Sequence, residues 1–469
     1  MKYFCHALTV LLSVFLFCTF GFLSWAAPFE VPANLPPAPG ARELNLLLRH
    51  LAVQRAEIIN IQRELVLRPA LNPEDGGEGE EAKALWIESW LREKGLPQAE
   101  RFDVPDARVP AKIRPNLIIR WPGTTQRTLW IIGHLDTALP GAETLWTGSP
   151  WALRIDGDTL YGRGVEDNHQ AISTGLVLLQ ALVSKNIIPP TGLGLIFTSG
   201  EKSGFPRAYG LDALLLTRPD LIGPGDLVVV NDYGNERGTS LEVSEKGLLW
   251  LNVTVIGQQA HSASPEKGIN ALSAGAALIG DLNGLHKLFP QQNSLFVPPF
   301  STFVPTNTRS SGSGINQVPG EFVFSLDCRL VAPLTVDAVE QEVRALADAV
   351  EEKHGVRVQV ERVRTIPAFN GTAQNAAVVL AMQRAVRGQW QRKAIAEGIG
   401  GVTLAADLRA RCIAAVVWAN TPSKGLDANE KVSVSALLEA AQVFARVLFD
   451  ELDEGTANSV VNTGKATVQ

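Results

Sequence analysis

A histidine and several carboxylates stand at the ends of apolar runs in this chain, and two of them are spaced like half of a metal site. Leu129-Trp130-Ile131-Ile132 reads as a buried strand, so Gly133-His134-Leu135-Asp136 falls at its C-terminal end, where open parallel sheets place their chemistry. An imidazole there can bind a metal through one nitrogen, and Asp136, two residues on, can reach back to orient that ring. Gly162-Arg163-Gly164-Val165-Glu166-Asp167 then leads into a helix-like segment from Ala171, a geometry that can aim Asp167 at the same point. Singly, His134 reads as a satisfied histidine near a turn and Asp167 as an N-cap; the pair in this setting reads as ligands. Two more strand-like runs end in carboxylates. Leu193 to Thr198 is followed by Ser199-Gly200-Glu201-Lys202, and Leu227 to Val230 by Asn231-Asp232-Tyr233. Glu201 is a candidate general base and Asp232 a third ligand, although each alone is as readily a loop carboxylate in water.

The elements that must hold these residues alternate between strand and helix. Glu43 to Leu67 carries apolar residues at helical spacing, Ala82 to Lys94 reads as a second helix closed by Gly95, and the Gly/Glu-rich stretch Asp75 to Glu81 between them as a solvated loop. Strands at Asn116 to Trp121, Leu129 to Gly133, Leu193 to Thr198 and Leu227 to Val230, with the helix from Ala171 among them, predict an α/β domain on a mainly parallel sheet. From Leu248 the pattern changes. Leu251, Val253 and Val255 alternate with Asn252 and Thr254, a helix with Leu272, Leu278, Leu282 and Leu285 as its stripe follows, Phe322, Phe324 and Leu326 alternate with Ser325 and Asp327, Thr335 caps a helix, and Val356 to Val363 closes as a strand. With one more strand expected near Ser301 to Pro305, this is a ferredoxin-like α+β module. The α/β pattern returns after Asn370 with a helix from Ala376, the cluster Gly398-Ile399-Gly400-Gly401, a strand Ile413 to Trp418 and a helix Val434 to Leu452. The expected division is therefore a catalytic domain at 41–247 and 366–453, an inserted module at 248–365, and a polar, disordered tail at 454–469.

Composition narrows the chemistry. The 469 residues are 46% hydrophobic with a net charge of −6 and interspersed signs, which describes a globular chain of two or more domains with no basic face for nucleic acid. Lys2, the apolar run Ala7 to Ala27 and Ser24-Trp25-Ala26 read as a signal peptide cleaved after Ala26, hence export to a periplasm or the exterior; retained, the run would anchor the chain in a membrane. Cys5 and Cys18 lie in that leader. Cys328 and Cys412, in strand-like segments, read as buried thiols, because two cysteines without CxxC make neither a disulfide framework nor a zinc finger.

Taken in order, the motifs resemble the zinc-dependent metallopeptidase family that includes aminoacylases, acetylornithine deacetylase, succinyl-diaminopimelate desuccinylase and carboxypeptidase G, over nearly the whole chain from Leu44 to Leu452. The resemblance implies an inserted module that serves as lid and dimerisation domain. It also implies that His134 and Asp232 hold one metal, that Asp167 bridges two, that Asp136 orients His134 and that Glu201 is the catalytic base. His261, in Ala260-His261-Ser262-Ala263, matches a histidine that helps hold the scissile carbonyl, often across a dimer; Asn316 and Arg329 match substrate-binding positions. Two positions depart from the pattern. Lys202 stands where the second Glu of a pair is expected, and Leu426 where a C-terminal histidine is expected, and no histidine follows His354. Both losses fall on the second metal, and an ammonium beside Asp167 would supply positive charge there. Other alignments make Glu201 a ligand with Gly200 in the base position, or let Asp427 replace the histidine; His169 reads as a helix N-terminal residue.

The sequence thus predicts an exported hydrolase, a homodimer, that cleaves an amide bond in a short peptide or N-acyl amino acid with one zinc, or cobalt or manganese, per chain. The rival is a non-catalytic descendant that binds a peptide or amino acid in the same cleft.

Overall fold

The computed structural model describes residues 40–203, 207–312, 314–422 and 427–450; the leader, Leu426 and the tail lie outside them. Its centre is an eight-stranded sheet in the order Glu100–Pro105, Ile113–Trp121, Gly192–Thr198, Thr128–His134, Leu227–Val230, Val416–Val417, Ser240–Glu245, Ile395–Ile399. Each of the first three strands is antiparallel to its neighbour among them. The run from Gly192–Thr198 through Val416–Val417 is parallel, Val416–Val417 meets Ser240–Glu245 antiparallel, and Ile395–Ile399 joins the latter in parallel. Alternation explains why these strands read as continuous apolar runs. Leu129 and Ile131 pack into the core beneath the helices Ala41–Ala52, Arg55–Val66, His169–Ser184, Ala377–Trp390 and Val434–Leu448, while Trp130 and Ile132 pack into a second core with Leu211, Leu214 and Leu408.

The strands Gly247–Ile256, Thr302–Ser310, Glu321–Leu330 and Arg357–Ile366 form a separate antiparallel sheet in the order Thr302–Ser310, Glu321–Leu330, Gly247–Ile256, Arg357–Ile366. Helices Ala271–Leu282 and Val336–His354 cover one face, which buries Leu249, Leu251, Val253, Phe324 and Leu326. The chain order strand, helix, two strands, helix, strand is the expected ferredoxin-like arrangement, and Thr335 caps the second helix by accepting from the Ala338 N–H.

Several local expectations are corrected. The helix over 43–67 is two helices, broken at Val53 and Gln54. Glu80 is not solvated but fully buried against Arg114. Leu272 is exposed, and Ala271, Ala274 and Leu278 form the buried stripe instead. The strand over 413–418 shrinks to Val416–Val417, and the helix from Val434 ends at Leu448. Cys328 is buried, but Cys412 is exposed in a turn with φ 58°.

Candidate metal centre

Three neighbouring parallel strands end side by side and deliver the site. Thr128–His134 carries His134 as its last residue; Gly192–Thr198 on one side runs on to Glu201 and Lys202, and Leu227–Val230 on the other runs on to Asp232. Gly133 has no room for a side chain, since a Cβ would lie 2.5 Å from the Ala171 Cβ and 2.6 Å from Asn168 Oδ1. That close approach lets Asn168 accept from the His134 N–H at 3.1 Å while donating to the Asn231 carbonyl at 2.8 Å, which ties the three ligand-bearing loops together. Glu430 fixes the turn that presents Asp167: it accepts from the backbone N–H groups of Gly164 (2.8 Å), Glu166 (2.8 Å) and Asp167 (2.9 Å), and from Arg163 at 2.8 Å.

The ligand atoms of His134, Asp167 and Asp232 all lie within 4.8 Å of one another. The His134 Nδ1 faces the Asp136 carbonyl at 2.9 Å and its carboxylate at 3.3 Å, so Nε2, 2.9 Å from Asp167 Oδ1, points at the cluster. Burial and Lys202 disfavour a charged ring, but Asp136 and Asp167 prevail and raise the His134 pKa to about 10. Burial and the nearby Asp167 push Asp232 up to about 7. Two carboxylates, both half-buried, and a buried imidazole nitrogen converging at one point, with the ring oriented from behind, are a donor set that fits a divalent cation, zinc among them.

Asp136 also accepts the backbone N–H groups of Glu201 at 3.1 Å and Lys202 at 2.8 Å, so one carboxylate sets both the imidazole and the next loop. Both oxygens of the Glu201 carboxylate are engaged: Oε1 by Arg207 and Oε2 by Lys202, each at 2.9 Å. Burial alone would raise its pKa, yet Lys202 and Arg207 hold it well below the usual carboxylate range. Lys202 Nζ in turn lies 2.9 Å from Asp167 Oδ2 and 3.1 Å from Asp167 Oδ1. These residues open onto a cleft of about 200 Å³, bounded on its other side by Tyr233, Ile399, Val402 and Thr403.

Other expected residues lie apart from this cluster. Asn316 and His261 face each other at 3.2 Å, both exposed, at the end of the short pairing of Ala260–His261 with Gln317–Val318 in the inserted module, and neither lines the cleft. Arg329 is engaged with Asp327 at 2.7 Å and with the Gly400 carbonyl at 2.9 Å. Asp427 is exposed, and His169 is a buried residue in the first turn of its helix. Sequence reasoning missed the supports. Lys83, fully buried, donates to the Leu135 carbonyl (2.8 Å) and Thr137 Oγ1 (2.9 Å) and lies 2.8 Å from His169 Nε2, and burial lowers its pKa to about 7. Arg207 bridges Glu201 to Asp407, and Glu80 accepts the Gly200 N–H at 3.1 Å. Lys83 left a trace, since it stands four and seven residues before the buried Ile87 and Trp90 on one helix face.

Residues 243–355 match the M20 peptidase dimerisation domain. An uncharacterized metallohydrolase of Methanocaldococcus jannaschii is 31% identical over 406 residues, which cover 84% of this chain and 98% of that protein. The chain belongs to the M20 metallopeptidase family. Within that family, a succinyl-diaminopimelate desuccinylase of Methylococcus capsulatus is 26% identical over 337 residues, 71% of this chain and 83% of its own. Human carnosine dipeptidase 1 shares the M20 fold, with a TM-score of 0.69 at 17% identity over 88% of this chain and 99% of its own. Membership of the M20 family makes the chain a metallohydrolase, and the inserted module carries the family's dimerisation domain.

Proposed function

We propose that the protein hydrolyses an amide bond in short peptides or N-acyl amino acids with a single divalent cation, zinc in the first instance and cobalt or manganese as substitutes. The observation that carries this reading is the position of Lys202, whose ammonium contacts Asp167 and Glu201 beside an intact His134, Asp167 and Asp232 set. His134, Asp167 and Asp232 would hold the cation, and Lys202 would take the place of a second one. When bound, the cation supplies Lewis acidity toward the scissile carbonyl and lowers the pKa of water. Glu201, kept ionised by Arg207 and Lys202, accepts a proton from the attacking water and returns it to the leaving nitrogen. The same cations weaken it as a base, so its neighbourhood must loosen from Lys202 as substrate enters. His261 and Asn316, on the inserted module, would contribute from a second copy to the oxyanion and substrate. The apolar run Ala7 to Ala27, read as a leader, supports a site of action outside the cytoplasm.

A second reading, a non-catalytic binder of peptides or amino acids, draws on the full pairing of the Glu201 carboxylate. One experiment separates them: plasma mass spectrometry of the purified protein, with a panel of N-acyl amino acids and dipeptides assayed after loading with zinc, cobalt or manganese. About one metal per chain with amide hydrolysis supports the hydrolase. No metal and no turnover, with ligand retained in a calorimetric titration, supports the binder.

A further inference from the structure

The helix Glu81–Glu93 carries one charged residue on its buried face. Lys83 lies there with Ala84, Ile87, Trp90 and Leu91, fully removed from solvent. A buried ammonium is costly unless each of its N–H donors finds a partner. Two donate to the Leu135 carbonyl at 2.8 Å and to Thr137 Oγ1 at 2.9 Å, and His169 Nε2, 2.8 Å away, faces the third.

The place of these partners in the chain gives them their meaning. Leu135 stands between His134 and Asp136, the carboxylate that orients the imidazole, and Thr137 is pinned on its other side by its N–H on the Ala70 carbonyl at 2.9 Å. His169 follows Asp167 by two residues and donates its N–H to the Gly164 carbonyl at 2.8 Å. Its ring lies against the turn that presents Asp167. Gly164, with φ 92°, has no room for a side chain, since a Cβ would stand 2.5 Å from His169 Cε1. The His169 Nδ1 is buried without a partner, so among the described residues Lys83 alone ties this imidazole by a hydrogen bond. Neither Lys83 nor its three partners line the cleft, so the grip comes from the closed side of the site.

We propose that Lys83 is a positioning residue for the metal centre: by holding Leu135, Thr137 and His169 at one point, it fixes the segment His134–Asp136 relative to the turn that carries Asp167. This rests on the reading that His134, Asp167 and Asp232 hold the cation. Because Asp136 also accepts the N–H groups of Glu201 and Lys202, the same tie extends to the candidate base. Two effects of Lys83 on a bound cation oppose each other, since its charge repels the metal while its hydrogen bonds hold the ligands in place. Asp136, Glu80, Glu430 and Asp167 all act on Lys83 against the effect of burial, and their charge offsets the repulsion, which leaves the hydrogen bonds to decide.

The test measures zinc affinity by competition between the loaded full-length protein and a chromophoric chelator, and the ligand field by visible absorption of the cobalt-loaded protein. Lys83→Met keeps a long unbranched side chain without the ammonium. It should weaken zinc by about 10- to 100-fold, as loss of a group that orients metal ligands does, and shift the cobalt bands. With substrate, kcat should fall and KM should stay nearly unchanged, because Lys83 lies off the cleft. Thr137→Ser should match wild type and Thr137→Val should lose part of the affinity. The double variant Lys83→Met with Thr137→Val should bind zinc no more weakly than Lys83→Met alone, since the two side chains act through one hydrogen bond. Unchanged or tighter zinc in folded Lys83→Met, or additive losses in the double variant, would overturn the assignment. If Lys83→Met does not fold, Thr137→Val against Thr137→Ser decides: loss in the first alone sustains the tie, and equal affinity ends it. A wild type that binds no metal fails the metal reading and Lys83 with it, whereas a loaded wild type beside an unmoved Lys83→Met fails Lys83 alone.

Discussion

Asp167 serves two neighbours at once, the His134 imidazole at 2.9 Å and the Lys202 ammonium at 2.9 Å, and the candidate chemistry depends on how that carboxylate is shared. Exchange of Lys202→Glu together with Leu426→His should raise zinc from about one to about two per chain by plasma mass spectrometry, because it restores both expected ligands and removes the competing charge. Two unit charges at ~4 Å repel by about 4 kcal/mol at an effective dielectric near 20, and an ammonium and a divalent cation by about twice that, so Leu426→His alone should leave the count near one. Two tight metals in wild type would refute the single-metal reading. Glu201→Gln keeps an oxygen for Arg207 but cannot take a proton, so turnover should fall by about two to four decades while metal content stays the same. Undiminished turnover would move the base elsewhere. His134, Glu201 and Asp232 could be read from sequence because each follows an apolar run closely, and Asp167 because a glycine-rich turn carries it to the start of an apolar helix. Arg207 with Asp407, Glu80 with Arg114 and Lys83 with His169 could not, since each pair joins distant segments and each charge, taken alone, looks like surface.

At the scale of elements, the strand Ser240–Glu245 is tied to the loop that bounds the cleft. Glu245 accepts from the Thr403 N–H at 2.7 Å and hydroxyl at 2.6 Å, while Arg409 is shared between Glu242 at 3.0 Å and Glu245 at 3.4 Å. Burial, with Glu242 beside it, raises the Glu245 pKa to about 8. A carboxyl whose folded pKa lies above its unfolded value favours the fold at low pH, and that contribution is lost as pH rises toward 8. Glu245→Gln should therefore melt higher than wild type at pH 8 and above, with the gap closing toward pH 5 in thermal scans. A gap independent of pH would show an ordinary carboxylate. The same ion pairs hid this strand from sequence reading: Ser240–Glu245 and Ile395–Ile399 carry Glu242, Glu245 and Glu397, which break the apolar pattern, and only Arg409, far along the chain, lets two of those acids be buried. Strands with uninterrupted apolar runs, such as Thr128–His134, were plain.

At the scale of the molecule, the alternation of strands and helices and its interruption by period-two strands were enough to foresee an α/β domain carrying a ferredoxin-like insertion. That His261 and Asn316 stand apart from the cleft could not be foreseen, because the alternation that marks the inserted module does not say which of its exposed residues reach the metal cluster. The exposed His261 and Asn316 pair, together with the dimerisation-domain match, leads to the expectation of twice the chain mass in size-exclusion chromatography with light scattering. A fully active monomer would exclude a site shared across subunits. Insertion also orders events in time. Val416 and Val417 lie between Leu227–Val230 and Ser240–Glu245, so the middle of the large sheet is filled by residues made after the whole ferredoxin-like module. As the nascent chain emerges, the inserted module has all its strands first, while Leu227–Val230 keeps an open edge that can pair wrongly until the last stretch arrives. A chain truncated before Val416 thus retains every residue of the metal cluster and lacks the strand that joins the two halves of its sheet.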